Sequence, residues 1–455
     1  MAPEIAQGLT QLSQPPIVTR AITSPDTTLD DSTLQVIKLL AAARGLTRMK
    51  EIPEAKRDHR RRLRSRFLAT LLVAAVGLGA LVVADLAGPK HTVTAPCSST
   101  EWELVDTPAA RRVPLLRGVQ SARPDDAWAV GVRFAERSAT SLGLLMHWDG
   151  RSWVTEASLS LAGTEVNAVS GSSYDDVWAV GNALDARLQV AAVLHHDGER
   201  WTVVEGIPAP GGRSGTSLRS VEAIDEADHH WAVGHYGDVA EGTTFQRPFV
   251  LQSQRQGELW KQVKVPGRGF LLDVAASESQ VWAAGGRQHT FSKASPPPRP
   301  MVLMWDGTKW RRLSHPLSQR PGTFTAVAIA GESVWVAGHS LRRNGGEGRP
   351  FLLQRKGGRW ASIEGPEGVR ADYMDLAYDA GGVWAVGATK DRQAFIGHWT
   401  GARWVDVRTL AADLAEASFD AIDMAPDGAW WAVGMEQQPD QTLRKPLIAR
   451  KCPER

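Results

Sequence analysis

Asp176-Val-Trp-Ala-Val-Gly181 carries one of seven copies of a single phrase. The other copies are Trp128-Ala-Val-Gly131, Trp231-Ala-Val-Gly234, Trp282-Ala-Ala-Gly285, Trp335-Val-Ala-Gly338, Trp384-Ala-Val-Gly387 and Trp431-Ala-Val-Gly434. Successive tryptophans stand 50, 53, 51, 53, 49 and 47 residues apart. A steady period near this length marks a chain built from stacked copies of one supersecondary unit. A second phrase follows each of the first six copies: a short apolar run, a turn, then a Trp, at Trp153, Trp201, Trp260, Trp310, Trp360 and Trp404. Asp149-Gly150, Asp197-Gly198 and Asp306-Gly307 are hairpin signals, because both turn residues tolerate φ > 0. Each unit therefore reads as four short strands, in the second copy roughly 165–170, 177–181, 191–195 and 200–205. Four strands per unit is a propeller blade, whereas the rungs of a β-solenoid are usually shorter. The prediction is an all-β, seven-bladed β-propeller over residues 97–455. Trp, Val and Ala should fill the flat spaces between blades.

The seventh copy ends after its third strand. A fourth-strand phrase stands unpaired ahead of the first copy, Glu101-Trp102-Glu103-Leu104-Val105, in the pattern of Arg403-Trp404-Val405-Asp406-Val407. This N-terminal strand is expected to complete the last blade, since an open ring would leave a strand edge and a blade face bare. The chain has two cysteines, Cys97 and Cys452, and in a closed ring they become neighbours. A Cys97–Cys452 disulfide is expected, with two unpaired thiols as the alternative. Loop entropy alone gives it about 6 kcal/mol as an upper figure, and it requires an oxidising compartment.

The compartment also follows from the first 96 residues. Phe67 to Ala84 reads FLATLLVAAVGLGALVVA, 18 residues without a charge. As a helix they span about 27 Å, close to a bilayer's hydrocarbon core. The preceding Lys56–Arg66 stretch holds seven Lys or Arg, including Arg60, Arg61, Arg62, Arg64 and Arg66, against one acid, Asp58. By the positive-inside rule the N-terminus is cytoplasmic and the repeats lie outside. A buried core helix or a cleaved signal peptide fits less well, since the leader is long and arginine-flanked. The expected plan is a cytoplasmic tail over 1–66, a single transmembrane helix over 67–87, a linker over 88–96 and an extracytoplasmic propeller over 97–455, in the plasma membrane. Residues 1–28 offer little to bury and are expected to be disordered. A short amphipathic helix is expected from Asp30-Asp31-Ser32 to about Met49.

Chemistry is sparse. There is no Ser-His-Asp elbow, no Walker loop and no His-x-x-x-His pair, so no catalytic, cofactor or metal set is expected. His147, His195 and His398 recur at one repeat position in three blades, too far apart to share a metal. A net charge of +2 gives no reason to expect nucleic acid. Charge does concentrate in the long connections between second and third strands of the later blades: Arg287, Lys293 and Arg299; Arg342, Arg343 and Arg349; Lys390 and Arg392; Arg444 and Lys445. These predict a positive rim for an anionic envelope polymer or an acidic protein, with solvated loops as the plainer alternative.

The repeats resemble kelch and other bacterial propellers with repeated Asp-Val-Trp-Ala-Val-Gly phrases. They lack the regular double glycine of kelch, and Asp149-Gly-Arg-Ser-Trp153 is one residue too tight for a sialidase Asp-box. The resemblance implies a fold and no activity. The plan of tail, single span and outer domain looks like bacterial membrane anchors that tether contractile injection systems. The expected function is a scaffold joining an envelope or protein partner to a cytoplasmic partner held by residues 1–66. A ligand sensor and a membrane-tethered carbohydrate-active enzyme are the alternatives; carboxylates gathered at the ring's centre would favour the enzyme.

Overall fold

The computed structural model describes residues 99–455 apart from 109–112, 135–140, 157–158, 186–187, 211–214, 225–228, 241–242, 255–256, 258, 289–295, 342–346, 411–415, 438–443 and 454–455. The apolar run 67–84, the arginines from Arg60 to Arg66, the expected helix ahead of them and Cys97 all lie outside the described residues. Among the described residues no helix is long and apolar enough to cross a membrane.

The described strands form seven four-stranded sheets, each antiparallel throughout. Within a blade the strands run A to D from the centre outward. Blade 2 comprises Thr164–Ser173, Asp176–Asp185, Leu188–His196 and Trp201–Val203. Its second and third strands are longer than the sequence suggests, because pairing continues to Asp185 opposite Leu188. Blade 3 does the same, to Ala240 opposite Thr243. Much of what reads as polar loop between B and C is therefore hairpin ladder. The Asp-Gly turns also differ from the expected form. Only the glycine takes positive φ, 88° at Gly150. Asp149 instead uses its carboxylate to accept the N–H groups of Arg151 and Ser152, at 2.9 and 2.8 Å. An Asx-type turn needs one left-handed residue, not two.

The glycine closing each repeated phrase has one physical reason. Every strand A breaks register with a β-bulge directly after the residue paired to that glycine, as at Leu116/Gly118 and Phe419/Ala421, and blades 1 and 2 break it again at Ser121/Arg123 and Gly171/Ser173. The bulge drives a strand A carbonyl towards strand B. A Cβ on Gly131, Gly181, Gly234, Gly285, Gly338, Gly387 or Gly434 would lie 1.8 to 2.1 Å from that oxygen.

The core is seven apolar clusters, each drawn from two neighbouring blades. Tryptophans dominate them. In blades 1 to 4 the strand D Trp meets the repeated strand B Trp of the preceding blade edge-on, as in Trp201 against Trp128 (5.1 Å, 88°) and Trp310 against Trp231 (5.5 Å, 88°). Such edge-to-face pairs add to the area that the rings bury.

The ring closes through its N-terminal strand. Glu103–Leu104 is the fourth strand of blade 7, with Glu103 opposite Arg450 and Leu104 opposite Ala449. Trp102 then meets Trp384 of blade 6 at 5.8 Å and 70°, the same arrangement as in blades 1 to 4. The N–H of Cys452 donates to Ser99 O at 2.9 Å, so the buried Cys452 lies beside the chain just after position 97.

Candidate functional site

The seven A strands surround a central channel of about 790 Å³. The bulge aims one residue of each strand into it near the face that carries the B–C connections. In blade order these are Arg117, Asn167, Arg219, Leu272, Thr325, Met374 and Asp420. This mouth is uneven: two arginines flank Asn167 on one side, while Leu272 and Met374 make the other side apolar.

Below the mouth the channel is acidic. Glu222, Asp273, Asp375 and Asp423 line it and act on one another electrostatically. Three of them tie blades together. Asp273 accepts from Ser220 Oγ of blade 3 at 2.7 Å and from the Val327 N–H of blade 5 at 2.7 Å. Asp375 accepts the Ile422 N–H of blade 7 at 2.9 Å, and Asp423 the Ser121 N–H of blade 1 at 2.7 Å. Ser170 does the same for Ala223 of blade 3, at 3.1 Å. Burial raises each carboxyl: Asp273 to about 6 against its hydrogen bonds, Asp423 to about 7, and Asp375 to about 8 with the charges of Asp273 and Asp423 adding. Glu222 is pushed well up by burial and by the same neighbours, and it has no hydrogen bond among the described residues.

Sequence reasoning missed this cluster, although lining up the seven A strands would have exposed it. The position after the bulge reads Gly118, Ala168, Ser220, Asp273, Ala326, Asp375 and Ala421. The two acids stand out there against small residues.

The repeated histidines are part of the framework. His147, His195 and His398 stack on Trp128, Trp178 and Trp384 at 4.4, 4.0 and 4.4 Å. Each turns Nε2 to an aspartate of its own blade: Asp126 at 2.9 Å, Asp176 at 3.0 Å and Asp379 at 3.7 Å. Among the described residues no group of three or more His, Cys, Asp or Glu could hold a metal ion.

Of the basic rim, Lys293, Arg342 and Arg343 lie outside the described residues. The rest lie on strand ends or in one tight turn rather than in long loops. Arg287 and Arg299 face each other across the B–C ladder of blade 4. Burial, then the charges of Arg312 and Arg299, push the Arg287 guanidinium down. Arg349 is exposed near the start of strand C in blade 5, its N–H donating to Ser340 Oγ at 2.6 Å. Lys390 and Arg392 are exposed in the blade 6 turn, with Arg392 at φ 60°. Arg444 pairs with Glu416 at 3.1 Å, and Lys445 lies opposite Glu436. The rim thus divides: Arg444 is neutralised, whereas blade 4 crowds like charges.

No family model and no curated protein matches the chain. The chain is similar to solved structures, among them two of YCF48. YCF48 bound to D1 peptide is 17% identical with a TM-score of 0.46, covering 78% of this chain and 97% of that one. YCF48 from Cyanidioschyzon merolae is 15% identical with a TM-score of 0.46, covering 78% and 99%. What the geometry establishes is a closed seven-bladed β-propeller with an asymmetric, charged central channel.

Proposed function

We propose that this chain is a membrane-tethered binding scaffold. A kelch-like ring outside the cytoplasm engages an anionic protein or envelope polymer, and residues 1–66 recruit a cytoplasmic partner such as a contractile injection system. The observation that supports this reading is the blade 4 arginine group. Arg287 and Arg299 face each other at the B–C end of the blade, and the like charges of Arg312, on strand D, and Arg299 act on Arg287. Like charges held together on a rigid edge are favourable only when an anion arrives. A Cys97–Cys452 bridge would lock the strand next to the tether to the last blade, and the bond between Cys452 N–H and Ser99 O supports it.

The test is affinity purification of the full chain from its membrane in mild detergent. Substituting Arg287, Arg299 and Arg312 by Glu should lose the outer partner and keep the inner one, whereas deleting residues 1–50 should do the reverse. Unchanged recovery of the outer partner by the triple variant would sink the proposal.

A carbohydrate-active enzyme has one observation in its favour, the raised carboxyls of the channel. Against it, both carboxylate oxygens of Asp273 and of Asp375 already accept hydrogen bonds that hold blades or turns in place. Their geometry is that of staples, and Glu222 alone is left without a bonded partner among the described residues.

A further inference from the structure

We propose that the channel mouth is a binding site for one carboxylate group, anchored by Arg219 with Arg117 as its second guanidinium. The inference deepens the reading of the ring as a binding module but stands on a different part of it.

Arg219 is the bulge residue of blade 3 and lines the channel. Among the described residues it makes no hydrogen bond and no ion pair. It is partly buried: burial pushes the guanidinium down, and the like charge of Arg117 adds to the push while Glu165 opposes it. A guanidinium carries five N–H donors in a planar fork, and leaving them half-desolvated without acceptors is unfavourable.

The nearby acceptors are already engaged. Arg117 Nη1 donates to Glu165 Oε2 at 3.1 Å and to Asn167 Oδ1 at 2.5 Å. Asn167 Nδ2 donates to Leu218 O at 2.7 Å and to Asn182 Oδ1 at 3.2 Å, and Ser217 Oγ donates to Asn182 Oδ1 at 3.0 Å. Glu165 reaches Arg219 only through its field. Asp420, across the mouth, accepts from Ser418 Oγ at 2.9 Å and acts on Arg117 and Arg444 rather than on Arg219. His235, opposite Ser217, adds a buried Nδ1 with no partner. Burial and the Arg219 charge hold that ring neutral, near a pKa of about 4.

The chemistry of the missing partner follows. A planar oxyanion satisfies a planar fork in a bidentate way that a point acceptor does not. Leu272, on the blade beside Arg219, and Met374, across the mouth, are apolar, so the ligand carries its carboxylate on an apolar body. A space of about 790 Å³ lies within the usual range for small organic ligands. The carboxylate is either a free organic acid or one borne on a partner's chain.

The test is calorimetric titration of the full chain in mild detergent with 3-phenylpropionate and with its uncharged amide. The acid should bind at least about tenfold more tightly than the amide, as expected of a charge-assisted pair. Arg219→Met should bring the two within about twofold without lowering the melting temperature, because it removes a charge that has no partner. Arg219→Lys keeps the charge, loses the fork and should lose most of the selectivity. The rim triple Glu variant should leave the ratio intact, so a failed rim and a failed mouth are told apart. A capped glutamate-containing tetrapeptide that binds more tightly than 3-phenylpropionate points to a chain-borne carboxylate, and a weaker one to a free acid. Equal binding of acid and amide by the unmodified protein, no binding of either, or full selectivity in Arg219→Lys overturns the proposal.

Discussion

Asp176 fastens a strand B tryptophan to its stacked histidine, and the fastening depends on pH. Its carboxylate accepts from Trp178 Nε1 at 2.7 Å and from His195 Nε2 at 3.0 Å. Burial pushes this group up, but hydrogen bonds from His195, Ser172 and Trp178 and the charge of His230 outweigh it and hold it at about 2. The folded value lies below the unfolded one of 3.8, so its stabilisation is present above that pH and is lost as pH falls from about 4 to about 2. A shift of this size is worth about 2 kcal/mol. Asp176→Asn should lose about that much in urea unfolding at pH 7, and the difference should vanish near pH 2. Asp423 carries the opposite sign. Its folded value, about 7, lies above 3.8, so the protein loses stability as pH rises from about 4 to about 7. Asp423→Asn keeps an oxygen for the Ser121 N–H. Its melting temperature should exceed that of the unmodified protein at pH 8 and match it near pH 4. A variant less stable at pH 8 would contradict the assignment.

Strand A and strand B fit together through the bulge and the glycine opposite it. Gly387→Ala would place a Cβ 1.8 Å from Asp372 O, a backbone atom that cannot swing aside. The expected loss is more than about 3 kcal/mol, at the severe end for a single substitution. Gly307→Ala is the control, at φ 90° with nothing within 4 Å. It should cost about 1 kcal/mol for the left-handed backbone alone. Urea unfolding of the two variants checks the contrast. This element also shows where sequence reading stops. The repeated Trp and Gly mark strand B because their spacing is long and regular. The facing of strand A is hidden, because one inserted residue flips the alternation by which inward and outward positions are recognised. Arg219 and Asp375 therefore do not stand out in the sequence, although they lie one and two residues past the strand A residue that faces the repeated glycine. The rim residues misled in the opposite direction. Polar sequence between strands B and C suggested loops, and cross-strand pairing turned much of it into ladder.

The whole ring depends on its joint. Seven interblade clusters stabilise it, and six of them pair blades that follow one another in the chain. The cluster between blades 6 and 7 also takes in Trp102, which arrives from the other end of the sequence. Trp102→Ala should cost about 3–5 kcal/mol, as for other buried tryptophans. It should also loosen strand Arg444–Lys451 before the remaining blades. The joint was legible in the sequence because a fourth-strand phrase was missing at one end and spare at the other. Its hydrogen bonds bear the central claim. Val105 N–H donates to Ile448 O and Cys452 N–H to Ser99 O, both at 2.9 Å. Hydrogen exchange read by mass spectrometry on the full chain tests it most directly. A closed ring predicts slow exchange at Val105 and through Arg444–Lys451, with both speeding up together in Trp102→Ala. Exchange at Val105 as fast as in free chain, with Arg444–Lys451 still protected, would contradict it.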